Sequence, residues 1–344
     1  MRLHLHVQLV WPLFLLLPLL AQVHSLSSIS CRSIQTRKST LYSKDGKHVI
    51  GSLVERRDVH KARHEVILLS GADSSSSPTL LQLIIPFFDQ ADSVGSSIWP
   101  SCLAGAILLC HSPTLQRALH DKRILELGTG LGLGGLVAAA VTSPKACVLT
   151  DNDADLVQRL QDHIITTQQQ ESEQQTNDCD ILAKQLDWRD DNNHDDDDDD
   201  DDGYDVVLGF DVAYYYHLVA PLVATARANL PPTKEKQLLL VLGQANRESQ
   251  WQLYHHVRDG GYNPVTDLHE PPWSEVDSST TKMLLYELQM QTWQDETVTE
   301  EEAPVDGNIP IAALLHTTEE SLVMITPHDY VATEQDEEAQ MMSF

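Results

Sequence analysis

Arg123 to Ala140 reads RILELGTGLGLGGLVAAA: a short apolar strand, five glycines within eight residues, then a small-residue apolar helix. This strand, glycine turn and helix constrain the fold more than any other stretch. Gly128, Gly130 and Gly132 allow a sharp reversal and let backbone N–H groups approach a bound group, and the start of the helix adds its own unpaired donors. The natural place for such a turn is the first βα junction of a doubly wound sheet, with a nucleotide-type ligand above it. An ordinary tight turn without a ligand is the alternative.

The rest of the chain alternates in step with that junction. Strands are expected at Ile124 to Leu127, Cys147 to Thr150, Ile181 to Leu186, Tyr204 to Phe210, Gln237 to Leu242, Lys282 to Leu288 and Ser321 to Thr326. Helices are expected from Pro100, from Leu133 to Val141, and over Ala154 to Thr167, Pro221 to Leu230 and Trp251 to Arg258. The reading is one α/β domain over 65–330, a Rossmann-like doubly wound sheet of seven strands whose last two form an antiparallel edge. Glu65 to Leu69 and Leu80 to Phe88 read as two short strands of a small N-terminal extension. An acidic, proline-containing insert separates the last two strands, and 331–344 reads as a disordered tail.

The N-terminus has a different character. Residues 1–25 combine Arg2, an apolar stretch from Val7 to Ala21, and Val23 and Ser25 at cleavage spacing, which is the pattern of a secretory signal peptide. Pro12 and Pro18 interrupt the stretch, so no stable membrane insertion is expected after processing. Residues 26–64 are polar, basic at first and poorly ordered up to about Asp45, with the composition of a transit segment. Secretory or organelle entry is expected, with a cytosolic protein as the alternative.

A net charge of −28 argues against nucleic acid or an anionic membrane as a passive partner and suits a basic protein segment or a cationic cofactor. Much of the excess is local, because Asp195 to Asp202 is an uninterrupted run, read as a solvated loop insert. Five cysteines with no C-x-x-C pair make neither a disulfide framework nor a zinc site. No metal site is expected, since Asp151 and Asp153 lack a third ligand nearby.

Candidate site residues fall at strand ends. Asp151 closes the second strand about twenty positions beyond the glycines, where a carboxylate accepts from both ribose hydroxyls. Trp188 follows the third strand, where an indole can stack on an adenine face. Asp211 and Tyr214 follow the fourth, the edge at which open α/β sheets carry chemistry, although Asp211 also suits a helix N-cap. Trp99, one element upstream of the glycines, either overhangs the ligand or packs.

Two cofactors fit the turn. Gly130, Gly132 and Gly135 match the dinucleotide pattern G-x-G-x-x-G, but the glycine that follows the strand directly is Gly128, and its register puts Leu133 where the third glycine belongs. The other pattern, E-x-G-x-G-x-G from Glu126, is the first motif of S-adenosylmethionine methyltransferases. Four separated pieces, Gly95-x-x-x-Trp99-Pro100, ELGTGLGLGG, Leu186-Asp187-Trp188 and VVLGFDVAYY with its D-x-x-Y, together resemble the seven-strand class I methyltransferases of family 16, the lysine-directed group. The resemblance covers Trp99 to Gln244. It implies a S-adenosylmethionine-dependent enzyme with a protein lysine as substrate, in which Trp99, the backbone of Gly128, Thr129 and Gly130, Asp151, Trp188 and Phe210 contact the cofactor, and Asp211 and Tyr214 line the site of transfer. A small-molecule methyltransferase, an NAD enzyme and a non-catalytic binding module are the alternatives. The N-terminus, the aspartate run and Phe210 in place of a small residue depart from the family pattern.

Overall fold

The computed structural model describes residues 34–58, 61–69, 79–86, 94–171, 179–190, 203–230, 236–258, 281–295, 305–318 and 330–331. The signal-like segment, the aspartate run and Ser321 to Thr326 lie outside them. Strands β1 (Gln35–Ser43), β2 (Val49–Asp58), β3 (Arg63–Leu69) and β4 (Thr79–Ile85) precede helices α1 (Pro100–His111) and α2 (Pro113–Leu119). Then come β5 (Arg123–Leu127), α3 (Leu133–Thr142), β6 (Ala146–Asp151), α4 (Ala154–Glu171), β7 (Asp180–Gln185), β8 (Val206–Phe210), α5 (Tyr216–Asn229), β9 (Leu238–Gln244) and α6 (Glu248–Arg258). β10 (Thr281–Gln291), β11 (Gln294–Asp295), β12 (Val305–Thr317) and β13 (Tyr330–Val331) finish the chain.

The main path across the sheet is β4-β3-β2-β1-β10-β12-β9-β8-β5-β6-β7. From β7 to β9 the pairings are parallel, with Leu125 of β5 opposite both Val148 and Val207. The chain runs outward from β5 through β6 to β7, then returns to lay β8 and β9 on the other side. That reversal beside β5 opens a crevice at the C-terminal ends of the strands. Helices cover both faces. One core joins α1 to α4 with the face bearing Ile124, Leu149 and Leu208; the other joins α5 and α6 with the face bearing Leu125, Val207 and Val241. β8 is buried at every position, as a strand covered on both sides must be.

Three expectations need correction. Residues 35–58, read as polar and, up to about Asp45, poorly ordered, form β1 and β2, so the extension has four strands instead of two. β1 pairs with β10 from Ser39↔Met290 to Ser43↔Tyr286, which makes the extension continuous with the main sheet and puts the expected antiparallel edge in its interior. The seventh strand is β12, within the stretch read as an insert. Pro310 hid it: a proline argues against a central strand because it cannot donate to the ladder. It stands one residue past the last β9 pair, Ile311↔Gln244, and its carbonyl accepts from the Ala245 N–H at 2.8 Å, so its missing donor falls where β9 has ended. Two boundaries also move: α5 begins at Tyr216 with Pro221 inside it, and Val331, read as tail, pairs with Leu284 of β10.

Leu41 of β1 is fully buried in the same core as β5 and β8. Leu41→Ala should cost about 2–5 kcal/mol and should lower one cooperative transition, seen identically by tryptophan fluorescence and circular dichroism in denaturant. A separate early transition would show the extension folding as its own unit.

Candidate active site

After β5 the chain turns through Gly128, Gly130 and Gly132, each in the left-handed region at φ 64°, 54° and 82°. At Gly130 the space is closed as well, since a Cβ there would stand 2.9 Å from the carbonyl oxygen of Gly95. The segment before Trp99 therefore lies backbone to backbone on the turn.

The turn is held by two carboxylates. Glu126 Oε2 accepts from the Thr129 hydroxyl at 2.5 Å and from the Gly135 N–H at 2.9 Å, joining strand, turn and helix at one atom. Asp151 Oδ2 accepts from the Gly130 N–H at 3.0 Å, and the Thr129 N–H reaches the Thr150 carbonyl at 2.8 Å. Two of the three amides expected to face a ligand are thus used within the protein, and these residues offer the crevice mainly their surface. Burial pushes the Glu126 carboxyl up to about 7, against the two hydrogen bonds that favour its charged form, with the nearby Asp151 charge adding to the rise. Burial likewise raises Asp151. Glu126 belongs to the motif that flags the turn, but sequence reasoning gave it no role.

Asp211 stands at the end of β8 with φ 64°, a conformation that aspartate tolerates better than most residues. Its N–H donates to the Leu242 carbonyl at 2.7 Å. Oδ2 accepts from the Ser101 N–H at 3.1 Å, capping α1 from 110 residues away, and Oδ1 is paired with Nη1 of Arg247. Asp211 thus does cap a helix, the alternative role its sequence position allowed, but the helix is α1 and not the one that follows it. Arg247 was missed. The only signal available was a single cation just past the end of β9, on the edge where the acidic candidates gather.

Phe210 sits between α1 and α3, where a Cβ at Gly105 or Gly134 would be 2.5 or 2.3 Å from its ring. Those two glycines make room for the residue that departs from the family pattern. Trp188 lies against Gly128, whose Cβ would be 3.2 Å from the indole, and its buried Nε1–H has no partner among the described residues. Trp99 is 38% exposed, its indole N–H donating to the Val94 carbonyl at 2.9 Å.

All nine residues singled out from sequence line a single cavity of about 790 Å³, joined by Glu126 and Arg247. Five carboxylates border it, from Glu126, Asp151, Asp153, Asp187 and Asp211, against two arginines, Arg189 and Arg247. Burial first, then the charges of Asp151 and Tyr215, raise the Tyr214 phenol above its usual range, so it stays protonated near neutral pH.

A family model described as lysine methyltransferase matches residues 82–255, half of the chain. The chain belongs to that family. A relative from Chaetomium thermophilum named protein-lysine N-methyltransferase EFM3 is 24% identical over 185 residues, 53% of this chain and 52% of its own length. The mouse protein-lysine N-methyltransferase EEF2KMT is 24% identical over 204 residues, 57% and 55% of the two chains. The chain spans about half the length of the curated relatives it matches. Among solved structures, precorrin-6y C5,15-methyltransferase from Geobacter metallireducens aligns over 61% of this chain and 85% of its own at 10% identity and TM-score 0.37. Spermidine synthase from Thermotoga maritima covers 88% and 90% at 10% identity and TM-score 0.34.

The raised Glu126 carboxyl sets a pH signature. Its folded-state value lies above the unfolded one, so the fold binds the extra proton and stability falls as pH rises from about 4.5 to about 7, then levels. Glu126→Gln keeps the acceptor and carries no charge. Denaturant titrations at pH 5 and pH 8 should show the variant losing less stability than wild type over that interval, by about 2–3 kcal/mol; parallel profiles would mean that Glu126 titrates normally.

Proposed function

We propose that this family member transfers methyl groups from S-adenosylmethionine to a lysine side chain of a protein. The observation that carries the reading is the cavity at the strand reversal, with Asp151 braced on the glycine turn at one wall and Asp211 with Tyr214 at the other.

The residues present fit the cofactor. The turn residues Gly128, Thr129 and Gly130 line the cavity, Trp188 offers an aromatic face and an orphaned buried N–H, and the carboxylate excess suits a cation. Asp151 keeps lone pairs beyond those taken by Gly130 and by the Asp153 N–H at 3.2 Å, so it can accept from ribose hydroxyls. When bound, S-adenosylmethionine supplies a methyl group on a sulfonium sulfur, which a neutral amine takes by in-line displacement while the carbon–sulfur electron pair stays on sulfur.

The protein's part is to orient and to exclude water. A free lysine, with its usual pKa near 10.4, has almost no neutral amine at pH 7, so the pocket must favour that form. Asp211 has lone pairs left after Ser101 and Arg247 and can accept an amine N–H. Tyr214 stays protonated, so it shapes the passage and donates but does not act as a base.

Incubating cell extract with tritiated S-adenosylmethionine and the purified chain, then running a gel, should label a protein band that alkali-stable lysine methylation accounts for. Label confined to small molecules would redirect the assignment to a small-molecule methyltransferase. Asp211→Asn is a cleaner variant than Asp211→Ala, because it keeps the cap on Ser101 and tolerates the left-handed backbone. It should reduce labelling about a hundredfold with cofactor affinity within a few-fold of wild type; unchanged labelling would remove Asp211 from the reaction. Trp188→Ala should weaken cofactor binding by about 1–3 kcal/mol in a calorimetric titration, and an unchanged Kd would exclude adenine stacking there.

A further inference from the structure

We propose that Arg247 is a positioning residue for the transfer: it fixes the Asp211 carboxylate and offsets its charge, so that Asp211 accepts from the target amine without holding it as tightly in the ammonium form. The inference rests on the reading that the substrate is a lysine.

Geometry carries it. The Asp211 side chain is 1% exposed and that of Arg247 23%, and both line the cavity, so the pair lies in its wall with the carboxylate the more buried partner. Arg247 is itself anchored, its N–H donating to the Gln244 carbonyl and its carbonyl accepting from the Gln250 N–H, both at 3.0 Å. Its Cζ lies 6.0 Å from the centre of the Trp99 ring, so pair and rim form one wall.

A buried carboxylate alone is a poor partner for a nucleophilic amine. Opposite charge in a desolvated site favours the protonated amine, which binds tightly and has no lone pair. A guanidinium on the same carboxylate repels the ammonium from farther away and so offsets part of the attraction, while the acceptor geometry survives.

The other titratable groups around the cavity have partners of their own, although the Asp151 charge also reaches Tyr214. Glu126 on β5 accepts from Thr129 and Gly135, and Asp151 after β6 accepts from Gly130 on the side of the cofactor turn. Asp153 Oδ1 accepts from the Asp155 and Leu156 N–H groups at 3.1 and 3.2 Å, and Asp187 after β7 is paired with Arg189 at 2.6 Å. Burial holds Cys102 on α1 as a thiol. Tyr214, Tyr215 and His217 border the cavity at the start of α5, with Tyr215 stacked on His217 at 5.4 Å.

Two measurements on the full chain test this with wild type, Arg247→Gln and Arg247→Lys. The first follows tritium labelling of the extract band across a range from about pH 6.5 to about pH 9.5, within which an amine trapped as ammonium is progressively deprotonated. Arg247→Gln should lose about tenfold or more at the acid end and recover most of it at the alkaline end, since removing a unit charge beside the amine moves its titration by about one to two units. Arg247→Lys should stay close to wild type. A loss equal at every pH, or no loss, overturns the assignment. The second measures binding of n-butylamine, the lysine side chain alone, near neutral pH by saturation-transfer NMR. Arg247→Gln should bind it at least about threefold more tightly than wild type as its unbalanced carboxylate gains the ammonium; equal or weaker binding overturns the assignment. Wild type that labels no protein at any pH overturns the lysine reading and this inference with it, whereas wild type that labels beside a pH-independent Gln defect overturns the inference alone.

Discussion

The buried carboxyl of Glu126 is the interaction on which the rest of the site depends. One of its oxygens takes a hydroxyl from the turn and an amide from the first turn of α3, fixing how the chain leaves β5. With the turn so fixed, the Thr129 amide reaches across to Thr150 and the Gly130 amide to Asp151, which locks β6 to the same loop. Burying a carboxyl is costly unless it is satisfied. Here the cost surfaces as a titration displaced toward neutrality, and in return three elements converge on one atom at the strand where the topology reverses.

Asp211 does the corresponding work on the other wall, and the comparison explains why the site is stiff. Its backbone is in a conformation rare for a side-chain-bearing residue, and such a conformation persists only where the surroundings over-determine it. They do so here through the Leu242 carbonyl, the Ser101 amide and Arg247. The residues aimed at the cavity are also the ones that bind its elements together. Chemistry and scaffold therefore cannot be separated by truncation alone, whereas an isosteric change keeps the Ser101 cap and gives up only the Arg247 pair.

What was legible in the sequence follows from the same physics. Glycines crowded after an apolar strand have few uses, and a residue placed at the end of a parallel strand has its position fixed by the sheet. Asp151, Trp188, Asp211 and Tyr214 could therefore be assigned to one edge before any coordinates. Arg247 could not, because nothing local tells a loop arginine that its partner lies 36 residues away. β1 and β2 were hidden for another reason. Their inward face carries Arg37 paired with the fully buried Glu55 at 2.6 Å, with His64 of β3 beside them at 3.3 Å, where an apolar alternation would ordinarily announce a strand. An inner face that mixes Leu41 and Leu53 with paired charges breaks the apolar alternation and reads as an unstructured segment until the ion pairs are seen.

The four added strands reach the site through α1. That helix is buried along most of its length and touches β2, β1, β12, β9 and β8 in turn. Two close approaches pin it: the His111 ring lies where a Cβ of Gly51 in β2 would be, 2.3 Å away, and Phe210 of β8 does the same to Gly105. Along the path β2-β1-β10-β12-β9-β8 the two strands are five spacings apart, about 24 Å if flat. Gly105 and His111 are separated by only about 9 Å of helix. Both contacts can be made at once only if the sheet curls round α1, and the β1–β10 pairing makes that curl continuous from the extension into the methyltransferase strands. The Ser101 amide at the head of α1 is what Asp211 caps, so one helix carries the contact with the extension at its far end and the contact with the site carboxylate at its head.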